Sequence, residues 1–223
     1  MMKKNAVLYL IFTGLFYLVL AGCQREKFWS VPVYAPSEPH TAPPWIDDFD
    51  HDNDNFNLLM NPGACPTGTY DGPTASRPQG YSLHEDGSMK IGVSANTNTR
   101  WFGFYSSFDS TGYPNTLGID VTSYTAVSFK IKGSMDNNPS GSGLQLSVRS
   151  VNTPVGREIY KLLTFYLASG LNASWQTVVM PFRDYNSATN WSSRLSTFTI
   201  SFKDAAGQPA SGTIWIDDLR FLP

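Results

Sequence analysis

From residue 45 onward, short runs of Val, Ile, Phe, Tyr, Trp and Thr alternate with clusters of Gly, Pro, Asn, Asp and Ser. Sustained helical periodicity with caps is almost absent, so the pattern predicts an all-β protein, an antiparallel β-sandwich. Strands are expected near Trp45 to Phe49, Tyr81 to His84, Ser88 to Ser94, Arg100 to Ser106, Ala126 to Gly133 and Leu144 to Ser150. Further strands are expected near Glu158 to Leu167, Trp175 to Pro181, Leu195 to Phe202 and Thr213 to Phe221. The Gly- and Pro-rich stretch after Phe49, up to Gly80, reads mostly as loop. Leu162 to Leu171 has some helical propensity, but Thr164, Phe165 and Tyr166 lean to strand.

Alternation assigns the faces. Val127, Phe129 and Ile131 oppose Ser128, Lys130 and Lys132; Leu144, Leu146 and Val148 oppose Gln145, Ser147 and Arg149. Phe198, Ile200 and Phe202 oppose Thr197, Thr199 and Ser201. Each strand therefore carries one core face and one polar face, as antiparallel sheets do.

The last strand, Gly212 to Leu222, contains Asp217 and Asp218, and strict alternation puts one acid on each face. Asp is a poor strand residue, so the pair calls for a reason. Trp45-Ile46-Asp47-Asp48-Phe49-Asp50 partly echoes Trp215-Ile216-Asp217-Asp218-Leu219-Arg220. If the first and last strands lie side by side, their carboxylates meet and repel, and a hard cation such as Ca²⁺ would relieve the repulsion. The competing reading is two acid pairs at exposed strand ends. Asp50-His51-Asp52-Asn53-Asp54-Asn55 starts like an EF-hand loop but has Asn55 where that loop needs Gly and Asn61 where it needs Glu. A solvated acidic turn or a looser calcium loop is left.

The amino terminus adds processing. Lys3 and Lys4 precede an apolar run, Ala6 to Leu20, too short for a comfortable membrane span, and Leu20-Ala21-Gly22-Cys23 follows. This order resembles a bacterial lipoprotein signal with a lipobox. The resemblance implies cleavage before Cys23, lipidation of Cys23 and, since Gln24 and not Asp follows, sorting to the outer membrane. The expected division is residues 1–22 as signal, 23–44 as lipidated Cys and Pro-rich tether, and 45–223 as one domain. At that size roughly 70% of the unfolded surface is buried, enough for one core. With Cys23 lipidated, Cys65 has no partner and no disulfide is expected.

Loss of Lys3 and Lys4 takes the formal charge of −2 to −4, and the basic clustering of nucleic-acid binders is missing. His40, His51 and His84 are scattered, giving no spacing for a triad or a His-rich metal cluster. Glu85 and Asp86 are adjacent, and adjacent strand residues point to opposite faces, so they do not suit the facing acids of a glycosidase.

Several ordered motifs together carry a second resemblance. They are Ile46-Asp47-Asp48-Phe49-Asp50 with Asn57, Trp101-Phe102-Gly103-Phe104, Val127 to Gly133, Trp175 to Phe182, Phe198 to Phe202, and Ile214 to Leu219. In this order the chain resembles galactose-binding-like jelly rolls of family 11 carbohydrate-binding modules and the complex I intermediate-associated protein 30 family. The resemblance implies a jelly-roll sandwich with a structural Ca²⁺ between the first and last strands, at Asp48 or Asp50 with Asp217. Leu58 to Gly63 departs from the Gly-rich segment usual there.

Sugar binding needs aromatic platforms and planar polar groups on a concave sheet. Trp101, Tyr105, Gln145, Arg149 and Tyr160 are the candidates, with Tyr166 a weaker addition. Trp175 reads as structural and Trp191 as an exposed aromatic at a rim or cap. The expected function is non-catalytic capture of a polysaccharide by a membrane-anchored module. The alternatives are a protein-interaction or assembly module on the same fold, and a small glycoside hydrolase. Cys23→Ser is expected to shift the protein from the membrane to the soluble fraction, and continued tight anchoring on fractionation would refute lipidation.

Overall fold

The structure is a computed structural model that describes residues 44–50, 57–59, 67–71, 80–93, 102–108, 117–136, 144–154, 157–186, 191–203 and 210–223. The strands are β1 (Trp45–Asp47), β2 (Thr67–Asp71), β3 (Gly80–His84), β4 (Met89–Val93), β5 (Phe102–Ser107), β6 (Ala126–Met135), β7 (Leu144–Ser150), β8 (Lys161–Leu162), β9 (Gln176–Pro181), β10 (Leu195–Phe202) and β11 (Gly212–Leu222). A single α-helical turn, α1 (Leu163–Tyr166), and the 3₁₀ turns Phe182–Asp184 and Trp191–Arg194 are the helical elements among the described residues.

Two antiparallel sheets form. One has the order β3-β4-β11-β6-β9 with β1 also paired to β11, and the other the order β2-β5-β10-β7-β8. From β4 to β7, and again from β9 to β11, successive strands fall in alternate sheets. That weave makes the sandwich a jelly roll.

The alternation read from sequence holds. Phe129, Ile131, Ile214 and Ile216 of one sheet and Leu144, Leu146, Phe198 and Ile200 of the other are all buried. Phe129 and Phe198 meet edge to face with centroids 5.2 Å apart. Such a pair adds about 0.5–1.5 kcal/mol to its area burial. Asn57 ties the first segment to this core: its amide donates to Ser106 Oγ at 2.7 Å and to the Ser107 carbonyl at 2.6 Å.

β11 is the spine. Residues 212–216 pair with β4, and beyond them β1 takes over that edge through Trp45 with Arg220 and Asp47 with Leu219. The first and last strands are therefore neighbours, the arrangement that the calcium reading of the acidic echo supposed. On the other edge, β11 advances from Asp217 to Arg220 while β6 goes from Lys130 to Ser128. The extra residue is a β-bulge, with Asp218 at φ +52°. This corrects the expected split of acids between faces: the bulge leaves Asp217 and Asp218 both half-exposed, with Leu219 returned to the core.

Three other expectations are corrected. The strand expected over Glu158 to Leu167 is only the two-residue β8 followed by α1. A helical turn buries Leu163 and Leu167 while Phe165 stays 62% exposed; a strand would put all three on one face. β2 lies inside the stretch read as loop: it is an edge strand held by pairing to β5, and Thr67-Gly68-Thr69-Tyr70-Asp71 shows no apolar alternation. Trp191 is 1% exposed and packs edge to face on Phe182 at 5.6 Å, so it is core and not rim.

Backbone contact is closest between β6 and β11. Gly133 adopts φ +138°, and a Cβ there would stand 2.3 Å from the Thr213 carbonyl oxygen. Gly133→Ala is expected to destabilise the domain by about 1–3 kcal/mol. Calorimetry is the check, with a fall in Tm of roughly 2–4 °C per kcal/mol.

Candidate functional site

β10 lies at the centre of the five-stranded sheet, so its outward residues organise that face. Thr197 stands between Ser107 and Arg149, Thr199 between Tyr105 and Ser147, and Ser201 between Gly103 and Gln145. Directly paired residues share a face, so Tyr105, Gln145 and Arg149 project from one surface on either side of β10. In their row Tyr105 and Ser147 lie two strand spacings apart, about 10 Å.

Size sorts these side chains. Ser107, Ser147, Thr197 and Ser201 are buried, whereas Tyr105, Gln145 and Arg149 keep intermediate exposure. Small hydroxyl residues thus make a low floor between taller side chains, a polar trough in the outer face of the sheet. The segment before β8 is fastened over β7 where Ser147 Oγ donates to the Ile159 carbonyl at 2.9 Å. That bond carries Glu158 to within 3.9 Å of Arg149 Nε and sets Tyr160, 49% exposed, on the adjoining edge.

Of the residues expected from sequence, Tyr105, Gln145 and Arg149 share this surface and Tyr160 borders it. Trp101 and Cys23 lie outside the described residues. Tyr166 is drawn away: its hydroxyl bonds Tyr185 at 2.9 Å and Asp184 at 3.2 Å. Burial pushes both tyrosine hydroxyls far above their usual pKa, with the bond to Tyr185 opposing the rise at Tyr166. Sequence reasoning passed over Glu158 and the hydroxyl row Thr197, Thr199, Ser201 and Ser147. The row was visible as alternating small polar residues; the approach of Glu158 depends on how the chain folds back over β7.

The expected metal residues divide. Asp50 Oδ1 lies 2.7 Å from where a Cβ of Gly87 would stand, in the turn joining β3 to β4. Asp86 and Gly87 in that turn both have positive φ, the geometry of a two-residue hairpin loop. Asp50 is also close enough to Asp217 to perturb it electrostatically. Burial, then the repulsion of Asp218 and Asp50, raises the Asp217 carboxyl above its ordinary pKa, opposed by the Asp218 N–H at 2.7 Å and by Lys130. Asp48 turns its Oδ1 to the Asp50 N–H at 3.3 Å. Asp218 is ion-paired to Lys130. Among the described residues no group of three or more His, Cys, Asp or Glu side chains converges. A half-buried Asp217 and an exposed Asp50 that repel each other still fit a hard divalent cation in charge and donor type. Glu85 is engaged elsewhere, by Lys90 at 2.9 Å and by Trp215 Nε1 at 3.0 Å.

These features define a β-sandwich binding module with a polar trough on one sheet. The chain belongs to a carbohydrate-binding family, carbohydrate binding domain 30, whose model matches residues 52–223. A family 30 module of a cellulosomal cellulase of Clostridium thermocellum is 19% identical, with TM-score 0.48 and coverage of 70% of this chain and 90% of that one. A family 11 module of the same organism, solved with a β-1,3-1,4-mixed-linked tetrasaccharide, is 15% identical with TM-score 0.48, covering 80% and 94%. A β-1,2-glucanase of Parabacteroides distasonis is 13% identical with TM-score 0.48, covering 83% of this chain and 26% of that one. No curated protein sequence matches the chain.

Because its folded pKa is raised, Asp217 favours the native state fully only below its unfolded pKa, and that contribution is lost as pH rises through the folded value. Without divalent cations, Asp217→Asn is therefore expected to raise Tm at neutral pH. The gain should close as pH falls below the carboxylate range, and melting curves across pH are the check.

Proposed function

We propose that this protein is a lipid-anchored, non-catalytic module that captures a polysaccharide at the outer membrane. The observation that carries the reading is the placement of Tyr105, Gln145 and Arg149 on one face of the five-stranded sheet, in a chain of a carbohydrate-binding family. The phenol of Tyr105 offers a platform for the apolar face of a sugar ring. The Gln145 amide donates to and accepts from hydroxyls, and the Arg149 guanidinium presents a planar fork of donors. Glu158 beside Arg149 adds an acceptor and restrains the guanidinium. The hydroxyl floor lets a glycan lie close to the sheet. Anchoring through Cys23 and a tether over residues 23–44 would hold this surface off the membrane.

Calcium belongs to the same reading as a structural ion. Asp50 and Asp217 would hold it, with further oxygens from backbone carbonyls, and it would neutralise repulsion where β1 meets the bulge of β11. Nothing in the binding step passes through it.

A glycan array probed with the full chain, with and without calcium, tests both parts. Saturable binding to one polysaccharide class, weakened at least tenfold by Tyr105→Ala or Arg149→Ala, is the expected result; a tenfold loss is about 1.4 kcal/mol. Absence of binding to every glycan would favour a protein partner for the trough, and turnover of a bound oligosaccharide would overturn the non-catalytic reading. Calcium should raise the Tm of the parent and leave Asp217→Asn unmoved; an unmoved parent refutes the ion.

A further inference from the structure

The six-stranded sheet carries a second row of functional side chains on its own outer face. Lys90 on β4 and Lys132 on β6 flank Trp215 on β11 in direct register. Ile131 pairs with Gln176, so Trp175, one residue before β9, continues the same row beside Lys132. Lys132 Nζ lies 4.5 Å from the Trp175 ring centroid and 5.6 Å from that of Trp215.

The two lysines are not equivalent. Lys90 is neutralised by Glu85, and Glu85 also fixes Trp215 by accepting its indole N–H. Lys132 has two indole rings around it and, among the described residues, feels a carboxylate only at longer range, that of Glu85, whose contacts go to Lys90 and Trp215. Packing against the rings holds the ammonium in place, so little side-chain entropy is left to lose when an anion arrives. Trp175 is 40% exposed, and along β9 the row opens onto exposed Thr177 and Val179, the latter 41% exposed. The indoles are separated by two strand spacings, about 10 Å. That span suits two alternate rings of one sugar chain, with the ring between them facing the cation.

We propose that this row is a second glycan-binding surface, separate from the trough of the other sheet, and that it takes an acidic polysaccharide of uronate units. Sugar rings stack on Trp175 and Trp215, and a ring carboxylate meets Lys132. A neutral chain in the same place would desolvate the ammonium without compensating its charge, which sets the preference for uronate.

The test is affinity electrophoresis of the full chain through gels holding polygalacturonate or a neutral β-glucan, beside flotation with anionic lipid vesicles. Trp175→Ala and Lys132→Gln are each expected to weaken polygalacturonate binding about tenfold. Their Tm and their binding of any neutral glycan should stay parental, and added salt should weaken the parent's polyuronate binding. If Trp175→Ala fails to fold, Lys132→Gln decides alone. The proposal is overturned if the parent ignores polygalacturonate, or if both variants keep parental affinity for it. It is also overturned if Tyr105→Ala alone abolishes that binding, which would place the acidic chain in the trough. Loss of vesicle binding with polyuronate binding intact would make the row a membrane contact, again overturning it. A neutral glycan lost only in Tyr105→Ala reports on the trough and leaves this surface to be judged by its own variants.

Discussion

Pairing along β11 is the constraint on which the rest of the structure depends. One eleven-residue strand has β6 along one edge and, on the other, β4 for its first half and β1 for its second. The change of partner on one edge coincides with an irregularity of register on the other. That irregularity is the bulge at Asp217 and Asp218, with Asp218 in a left-handed conformation that Asp tolerates better than most residues. The acids that look misplaced in a strand sit where the strand stops being regular. Their cost is mutual repulsion, part of which Lys130 offsets.

The two sheets spend their outer faces differently. In the five-stranded sheet, the row on β10 is of small hydroxyl residues, so the larger Tyr105, Gln145 and Arg149 stand above a floor. In the six-stranded sheet the middle row is of long and aromatic residues, and the surface is built up instead of hollowed. The shared apolar layer makes both faces rigid, since Phe129 and Phe198 interlock across it. Recognition by such faces costs little reorganisation.

Much of this was legible in the sequence because an antiparallel sheet writes its faces in a two-residue period. Val127 to Ile131, Leu144 to Val148 and Phe198 to Phe202 gave both the core and the polar surfaces, and with them Tyr105, Gln145 and Arg149. The meeting of β1 and β11 was a condition of the calcium reading, and alternation could not decide it. What escaped notice depends on contacts far apart in sequence. β2 is a strand only because β5 pairs with it. Trp191 is buried only because its turn packs on Phe182, while Trp175, read as structural, is exposed because its row lies on the outer face. A bulge shifts register by one, so alternation misplaced Asp218. Position 165 turns outward because the helical turn that buries Leu163 and Leu167 breaks the strand period.

The position of β11 in the chain has a consequence for the order of folding. Its partners β1, β4 and β6 are all made before it, and none of them pairs with another of the three. Before β11 pairs, the six-stranded sheet therefore exists only as separate pieces, β3 with β4 and β6 with β9. β11, made after all three, joins them in one step. A domain closed in this way stays slack until β11 pairs and becomes rigid only then.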